Sequence, residues 1–286
     1  MDVQHHENPQ AFMAIAGPFY RKDTLWHTVA LTVMARFLTM TRAHAPFMTT
    51  LHDSGDLIGV AFRTPPWPVI TSGLPTDPVL LETFLTRWLE IDPELPGASG
   101  PRKNVEALGD AWTRVTGGTT DEVLAGRLYR LGQLAAPTVP GRPRVAIEDD
   151  IELLTRWRAG FAKEALPEQR DHTEDAAQVR RLLEMGDSVI LWEDGGQPVS
   201  WACASTPIDG MSRVGPVYTP PEHRAHGYGS AVTAAVSRHV QATGARDVIL
   251  FTDLANPTSN SIYQKIGYRP VYDSSELHFA RLPSTT

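Results

Sequence analysis

Two helices followed by a hairpin occur twice in this chain, half its length apart. In the first copy the apolar runs Phe47 to Leu51 and Leu57 to Phe62 flank His52-Asp53-Ser54-Gly55-Asp56, a stretch of turn-forming residues. In the second, Ser188 to Trp192 and Val199 to Ala204 flank Glu193-Asp194-Gly195-Gly196. Leu51 aligns with Leu191 and Gly55 with Gly195, an offset of 191 − 51 = 140 in a chain of 286 residues. After a one-residue insertion Ile58 aligns with Val199 and Ala61 with Ala202. Ala11, Ala14, Ile15 and Phe19, then Leu25, Val29, Val33 and Phe37, recur at helical spacing, so the first forty residues read as helix. Ile151 to Glu164 and Ala176 to Met185 take the same place before the second hairpin. Hairpins resemble one another by chance. Helix–helix–hairpin at half the chain length points instead to a duplicated unit.

Ala135-Ala136-Pro137-Thr138-Val139-Pro140-Gly141-Arg142-Pro143 lies between the copies. Its prolines and glycine read as a linker. The expected organisation is a domain over 1–136, a linker over 137–144 and a second domain over 145–286. Lys and Arg number 26 against 33 Asp and Glu, a net charge of −7. Nucleic-acid binding draws its affinity from basic residues on phosphates, so no nucleic-acid partner is expected. A local cradle for one phosphate-bearing ligand remains compatible with that charge. One cysteine, Cys203, precludes an intrachain disulfide, and its place between Ala202 and Ala204 on a strand assigns it to a core rather than to nucleophilic chemistry. The opening Met-Asp-Val-Gln-His-His-Glu has neither the basic nor the apolar region of a secretory signal. The apolar stretch Thr28 to Leu38 contains Arg36 and falls well short of the ~20 residues that span a bilayer. No membrane partner and a cytoplasmic location are expected. No Cys/His ligand spacing occurs, so no metal is expected.

Chemistry concentrates after the second hairpin. Met211 to Thr219 reads as a strand, and Pro216 within it calls for an edge, a bulge or a splayed end. Arg224-Ala225-His226-Gly227-Tyr228-Gly229-Ser230 follows. A helix then carries Val232, Ala235, Val236, His239 and Val240 on one face and ends before Gly244. A strand, a glycine-bearing loop and a helix N-terminus together suit a phosphate: the first helical N–H groups are unpaired and glycine lets the ligand approach. Without Gly-Lys-Ser/Thr this is no P-loop. Without a third glycine, and with Asp247 opening a strand rather than closing one, it is no dinucleotide fingerprint. Val248 to Thr252 is another strand. Asn256 caps a short helix with Pro257 at its first position, and that helix carries Ile262, Tyr263 and Ile266 before stopping at Gly267. Tyr268 to Tyr272 and Glu276 to Ala280 read as two final strands.

Arg224-x-x-Gly227-x-Gly229, followed by Asn256-x-x-Ser259-x-x-x-Tyr263-x-Lys265-x-Gly267-Tyr268, resembles the GNAT superfamily of acyl-CoA N-acyltransferases. The likeness covers the second half. The first half resembles a degenerate copy, with Pro68 to Gly73 running almost directly into a helix at Pro78 to Leu89. It has no Arg-x-x-Gly-x-Gly, and its helix Asn104 to Val115 has no tyrosine. The resemblance implies an α/β (α+β) fold of two tandem GNAT-like domains. Each would be a mixed, mostly antiparallel sheet flanked by helices.

It also implies roles. The backbone from Ala225 through His226, Gly227, Tyr228 and Gly229 to Ser230 would hold the CoA pyrophosphate, with Arg224 setting the loop. Val217, Tyr218 and Thr219 would face the pantetheine arm, and Asn256 and Ser259 would flank it. Tyr263 would give a proton to the departing thiolate, although a tyrosine on an apolar helix face also serves as packing. Asn256 can cap its helix, touch the cofactor, or both. Lys265 is either solvated or a phosphate contact. Candidates for the general base are Asp253, Glu222, His223 and His226. Asp253 stands at a strand end where a turn aspartate is equally at home. The implied reaction carries an acetyl group from acetyl-CoA to a primary amine of a small molecule. That amine would sit in a cleft between the domains, near Trp201 and Tyr218; for the protein itself, monomer and homodimer both stay open. The alternatives are a non-catalytic acyl-CoA-binding module and an acetyltransferase acting on a protein N-terminus or lysine.

Overall fold

A computed structural model describes residues 1–39, 44–165 and 175–281, so the last five residues of the expected second domain lie outside the described residues. The first half runs β1 (Asp2–His6), α1 (Pro9–Tyr20), α2 (Thr28–Thr39), β2 (Phe47–Asp53), β3 (Asp56–Arg63), β4 (Val69–Ile70), α3 (Pro78–Ile91), β5 (Gly97–Pro101), α4 (Arg102–Thr116) and β6 (Thr119–Leu131). The second half repeats that order as β7 (Arg142–Val145), α5 (Ile151–Ala165), α6 (Asp175–Glu184), β8 (Ser188–Asp194), β9 (Gln197–Ala204), β10 (Met211–Tyr218), α7 (Tyr228–Ala242), β11 (Asp247–Asp253), α8 (Pro257–Lys265) and β12 (Tyr268–Ala280).

Local chemistry explains the matching elements. Ser54 and Gly55 turn the first hairpin with φ of 51° and 92°, and Gly195 and Gly196 turn the second with 56° and 79°. Positive φ at both central residues matches the right-handed strand twist. A register shift precedes each turn by the same number of residues, between Leu51 and His52 and between Trp192 and Glu193. Asn8, Asp77 and Asn256 cap α1, α3 and α8 with their side chains, each followed by a proline in the first turn.

The chain forms two compact units. One comprises Met1–Arg127, Asp253–Ala255 and the segment from Val271; the other comprises Leu128–Thr252 and Asn256–Pro270. Neither is a continuous stretch of sequence, because β6 and β12 each change unit along their length. In the first unit the sheet order is β1-β2-β3-β4-β5-β12, antiparallel except for the parallel pair β4/β5. Its core gathers Leu51, Ala61, Phe84, Trp88, Leu108 and Trp112 between α3, α4 and the sheet.

In the second unit β7-β8-β9-β10-β11 lie in that order, with β6 beyond β11, and the pair β10/β11 is parallel. Alternation along β8 and β9 splits the core. Ile190, Trp192, Ala202 and Ala204 join the α7 side, and Val189, Leu191, Trp201 and Cys203 join the α5/α6 side. Cys203 is buried there as a small apolar residue.

Several elements differ from the sequence expectation. Asp2–His6 is a strand ahead of the first helix, built mostly from polar residues on an edge, where it pairs with Met48–His52 and His5 and His6 bond the Thr49 and Thr50 hydroxyls. The expected strand Pro68 to Gly73 shrinks to Val69–Ile70. Gly97–Pro101 and Thr119–Leu131 are strands with no alternating apolar pattern. Tyr268–Ala280 is one strand rather than two. The proline-rich stretch is docked along the second unit. Arg142–Val145 pairs with β8, and Trp192 Nε1 donates to the Pro140 carbonyl at 2.8 Å. Pro143 is accommodated because β7 is an edge strand.

Candidate active site

Pro216 acts as its chemistry predicts. β10 pairs with β11 only from Met211↔Asp247 to Arg213↔Ile249. Its pairing with β9 shifts register between Val214 and Val217. From Val214 to Tyr218 the strand therefore keeps one neighbour, and the edge that faced β11 is left with unpaired backbone. Val217 sits opposite Ala202 and Tyr218 opposite Trp201 on this open length. Ser200 Oγ donates to the Tyr218 carbonyl at 3.0 Å and lies 2.9 Å from Thr219 Oγ1, which fixes the strand end.

The loop behind it presents a bare helix N-terminus. Gly227 is the N-cap of α7 with φ 81°, and no side chain caps the helix. The N–H groups of Tyr228, Gly229 and Ser230 stand in the first turn, where an α-helix offers no internal acceptor. A Cβ at Gly227 would lie 2.8 Å from Val139 Cγ1, and one at Gly229 would lie 3.3 Å from Thr219 Oγ1. Ala225 also has positive φ, 65°, a strained conformation for a residue with a side chain. Arg224 ties the loop to the strand end: its Nε donates to the Thr219 carbonyl at 2.9 Å. Its Nη2 meets both oxygens of Glu164 at 2.8 and 2.7 Å, and its guanidinium lies 5.8 Å from the Tyr218 ring. Burial raises the Tyr218 pKa first, with the Glu164 carboxylate adding to it and Arg224 opposing. His226 stacks on Tyr228 at 5.5 Å, and the Tyr228 hydroxyl donates to Asp194. Acceptance by Asp194 raises the Tyr228 pKa.

On α8, Asn256 Oδ1 accepts the Ser259 N–H at 3.0 Å, the capping arrangement. Tyr263 is partly buried against the α7-side core and meets Tyr268 edge-on at 6.1 Å. Burial pushes its phenol up to about 12, so the group keeps its proton at neutral pH. Among the described residues its hydroxyl has no hydrogen-bond partner. Asp253 ends β11, and its Oδ1 accepts the Ala255 N–H at 2.7 Å, a turn contact. Glu222 and His223 lie in a short 3-10 turn before the loop, and Lys265 is exposed at the end of α8.

The structure thus brings Val217, Tyr218, Thr219, Arg224 and the loop 225–230 together, while Asn256, Ser259 and Tyr263 share α8. Trp201 is fully buried in the α5/α6-side core, so it lines no cleft. Strand alternation carries that information, since Trp201 and Cys203 point the same way. Glu164 escaped the sequence reading because nothing local distinguishes it from other helix carboxylates. Among the described residues no group of three His, Cys, Asp or Glu side chains could hold a metal. No helix among them is long and apolar enough to cross a membrane.

The fold has counterparts among known proteins. Residues 197–276, the hairpin strand through β12, match the family model described as FR47-like protein. A GNAT-family acetyltransferase from Colwellia psychrerythraea superposes with a TM-score of 0.64 at 10% identity, covering 99% of this chain and 100% of that one. A GCN5-related N-acetyltransferase from Sphaerobacter thermophilus gives 0.64 at 15% identity, covering 98% and 95%. One from Kribbella flavida gives 0.55 at 18%, covering 77% and 87%. No curated protein matches the sequence. The fold is that of the GNAT acetyltransferases. Within it, residues 197–276 are the part that is similar to the FR47-like family.

Proposed function

We propose that this protein is an acyltransferase that moves an acetyl group from acetyl-CoA to a primary amine of a small molecule. The observation that carries the reading is the opening of β10 away from β11 beside the uncapped N-terminus of α7. An extended amide-bearing arm suits the free strand edge, and a pyrophosphate suits the adjacent N–H groups and the helix dipole. In this reading the N–H groups of Tyr228, Gly229 and Ser230 bind phosphate oxygens, and Arg224 holds the loop against Thr219. Val217 and Thr219 orient the arm, with Asn256 and Ser259 at the head of α8 beside it. The amine nitrogen bonds to the acyl carbon as the carbon–sulfur bond breaks. Tyr263 gives its proton to the leaving sulfur, and the amine proton passes to solvent.

The first unit carries no second site in this reading, because its own side chains occupy both positions. Asp77 caps α3 by accepting the Val79 and Leu80 N–H groups at 3.0 Å each, putting a carboxylate where an anion would bind. After β4, Trp26 Nε1 donates to the Ser72 carbonyl at 3.1 Å, and His27 Nδ1 lies 3.1 Å from Ser72 Oγ. Asp77→Ala is expected to cost about 1 kcal/mol, the usual worth of a cap, read as a lower denaturation midpoint. The response to acetyl-CoA should be unchanged. A second binding event in that variant would contradict a single site.

Acetyl-CoA at a hundredfold its Kd should add about 2.7 kcal/mol to stability and raise the melting temperature. If neither acetyl-CoA nor CoA raises it at saturation, the ligand is wrong. CoA release over a panel of primary amines then tests transfer. Binding without release for any amine or peptide would point instead to a non-catalytic acyl-CoA module.

A further inference from the structure

A short segment from the middle of the chain clamps α8 at both ends. Tyr129, in the last part of β6, is fully buried. Its hydroxyl donates to Asn260 Oδ1 at 2.9 Å and accepts from Gln264 Nε2 at 3.2 Å. Asn260 Nδ2 in turn donates to the carbonyl of Asn256, the N-cap, at 2.8 Å. At the far end the Gly132 N–H donates to the Gly267 carbonyl and the Ala135 N–H to the Ile266 carbonyl, each at 3.0 Å. Gly267 has φ 110°, and a Cβ there would stand 2.1 Å from the Gln133 carbonyl oxygen, so only glycine admits this approach.

α8 needs such a clamp. It has nine residues and none is fully buried. A helix that short does not hold itself in water. Its placement therefore depends on the bonds it makes to its surroundings, and Tyr263 stands between the two side chains that Tyr129 grips. We propose that Tyr129 is a positioning residue that fixes α8 and thereby the Tyr263 hydroxyl. The proposal rests on reading Tyr263 as the proton donor. It also means that residues 128–135, which precede the second sequence repeat, belong to the active unit.

Tyr129→Phe removes one oxygen and leaves Asn260 Oδ1 and Gln264 Nε2 without it. Two measurements on the full chain decide the case. Amide hydrogen exchange over residues 258–265 of the ligand-free protein should speed up about tenfold, while the α7 amides keep their rates. With acetyl-CoA and an accepted amine, kcat should fall about tenfold with KM for acetyl-CoA within about twofold, the mark of a misplaced group rather than lost binding. In a Tyr263→Phe background, Tyr129→Phe should cost no further kcat, because it acts through the missing hydroxyl. Unchanged exchange over α8 overturns the clamp whatever the reaction is. Faster exchange with full kcat, or losses that multiply in the double variant, overturns the positioning role. Should Tyr129→Phe fail to fold, Gln264→Leu on the exposed face removes one of the two bonds, and the same two readouts apply with a smaller shift. Wild-type turnover in Tyr263→Phe alone would remove the proton-donor reading, and the exchange measurement would still decide the clamp.

Discussion

Tyr263→Phe is expected to lower kcat about a hundredfold, with KM for acetyl-CoA within about twofold and the fold intact. A positioned general acid contributes at least that factor. The substitution keeps the ring, its edge-on contact with Tyr268 and its packing against the core, so only the proton is lost. The pH dependence adds a second test. Burial pushes the Tyr263 phenol from 10.0 up to about 12. The acid therefore stays protonated through the neutral and mildly alkaline range and contributes no alkaline limb to kcat below about pH 11. Because the folded pKa is raised, the associated stability is complete below pH 10 and is lost as the pH rises through about 12. Tyr263→Phe should accordingly lose less stability than the wild type over that alkaline window. Equal kcat in the two proteins would refute the proton donor. Equal alkaline stability loss would refute the burial argument.

Gly227→Val should weaken acetyl-CoA binding about a hundredfold and leave the melting temperature of the free protein nearly unchanged. Two costs combine at this residue. The backbone has φ 81°, a region costing a side-chain-bearing residue about 1–2 kcal/mol and more when it is β-branched. The first carbon of the side chain would also lie 2.8 Å from Val139 Cγ1. The exposed loop can relieve both by rotating, which turns the first N–H groups of α7 away from the ligand. Gly195→Val separates the two costs. It has φ 56° but nothing within 4 Å of a Cβ, so it bears the backbone strain alone and lies in a hairpin turn. Its acetyl-CoA affinity should match the wild type. Tight binding by Gly227→Val would place the phosphate elsewhere.

The parts of the site that local chemistry dictates were legible. Pro216 announced the broken register of β10, Gly227 the bare head of α7, and Asn256-Pro257 the start of α8. Each depends on a backbone property of one or two residues. The strands that failed to announce themselves carry no such mark. Asp2–His6 is mostly polar because it is an edge strand whose His5 and His6 side chains bond the Thr49 and Thr50 hydroxyls, and Gly97–Pro101 is small because β12 lies close: a Cβ at Gly97 would stand 1.9 Å from the Leu277 carbonyl oxygen. The docking of Pro140 under Trp192 likewise turns an apparent linker into part of a unit.

Sequence alone determined the repeated helix–helix–hairpin, the hairpin turns, the helix caps and the presence of one glycine-headed helix. These follow from φ preferences, side-chain caps and apolar period, which act within a few residues. Tertiary structure alone decided where β6 and β12 end, that Trp201 is core, that Glu164 meets Arg224, and that Tyr129 grips α8. Those outcomes come from hydrogen bonds and packing between residues as much as 188 positions apart, as between Pro93 and Arg281. A backbone amide carries no sequence label for its partner, so such pairings emerge only when the chain has closed on itself.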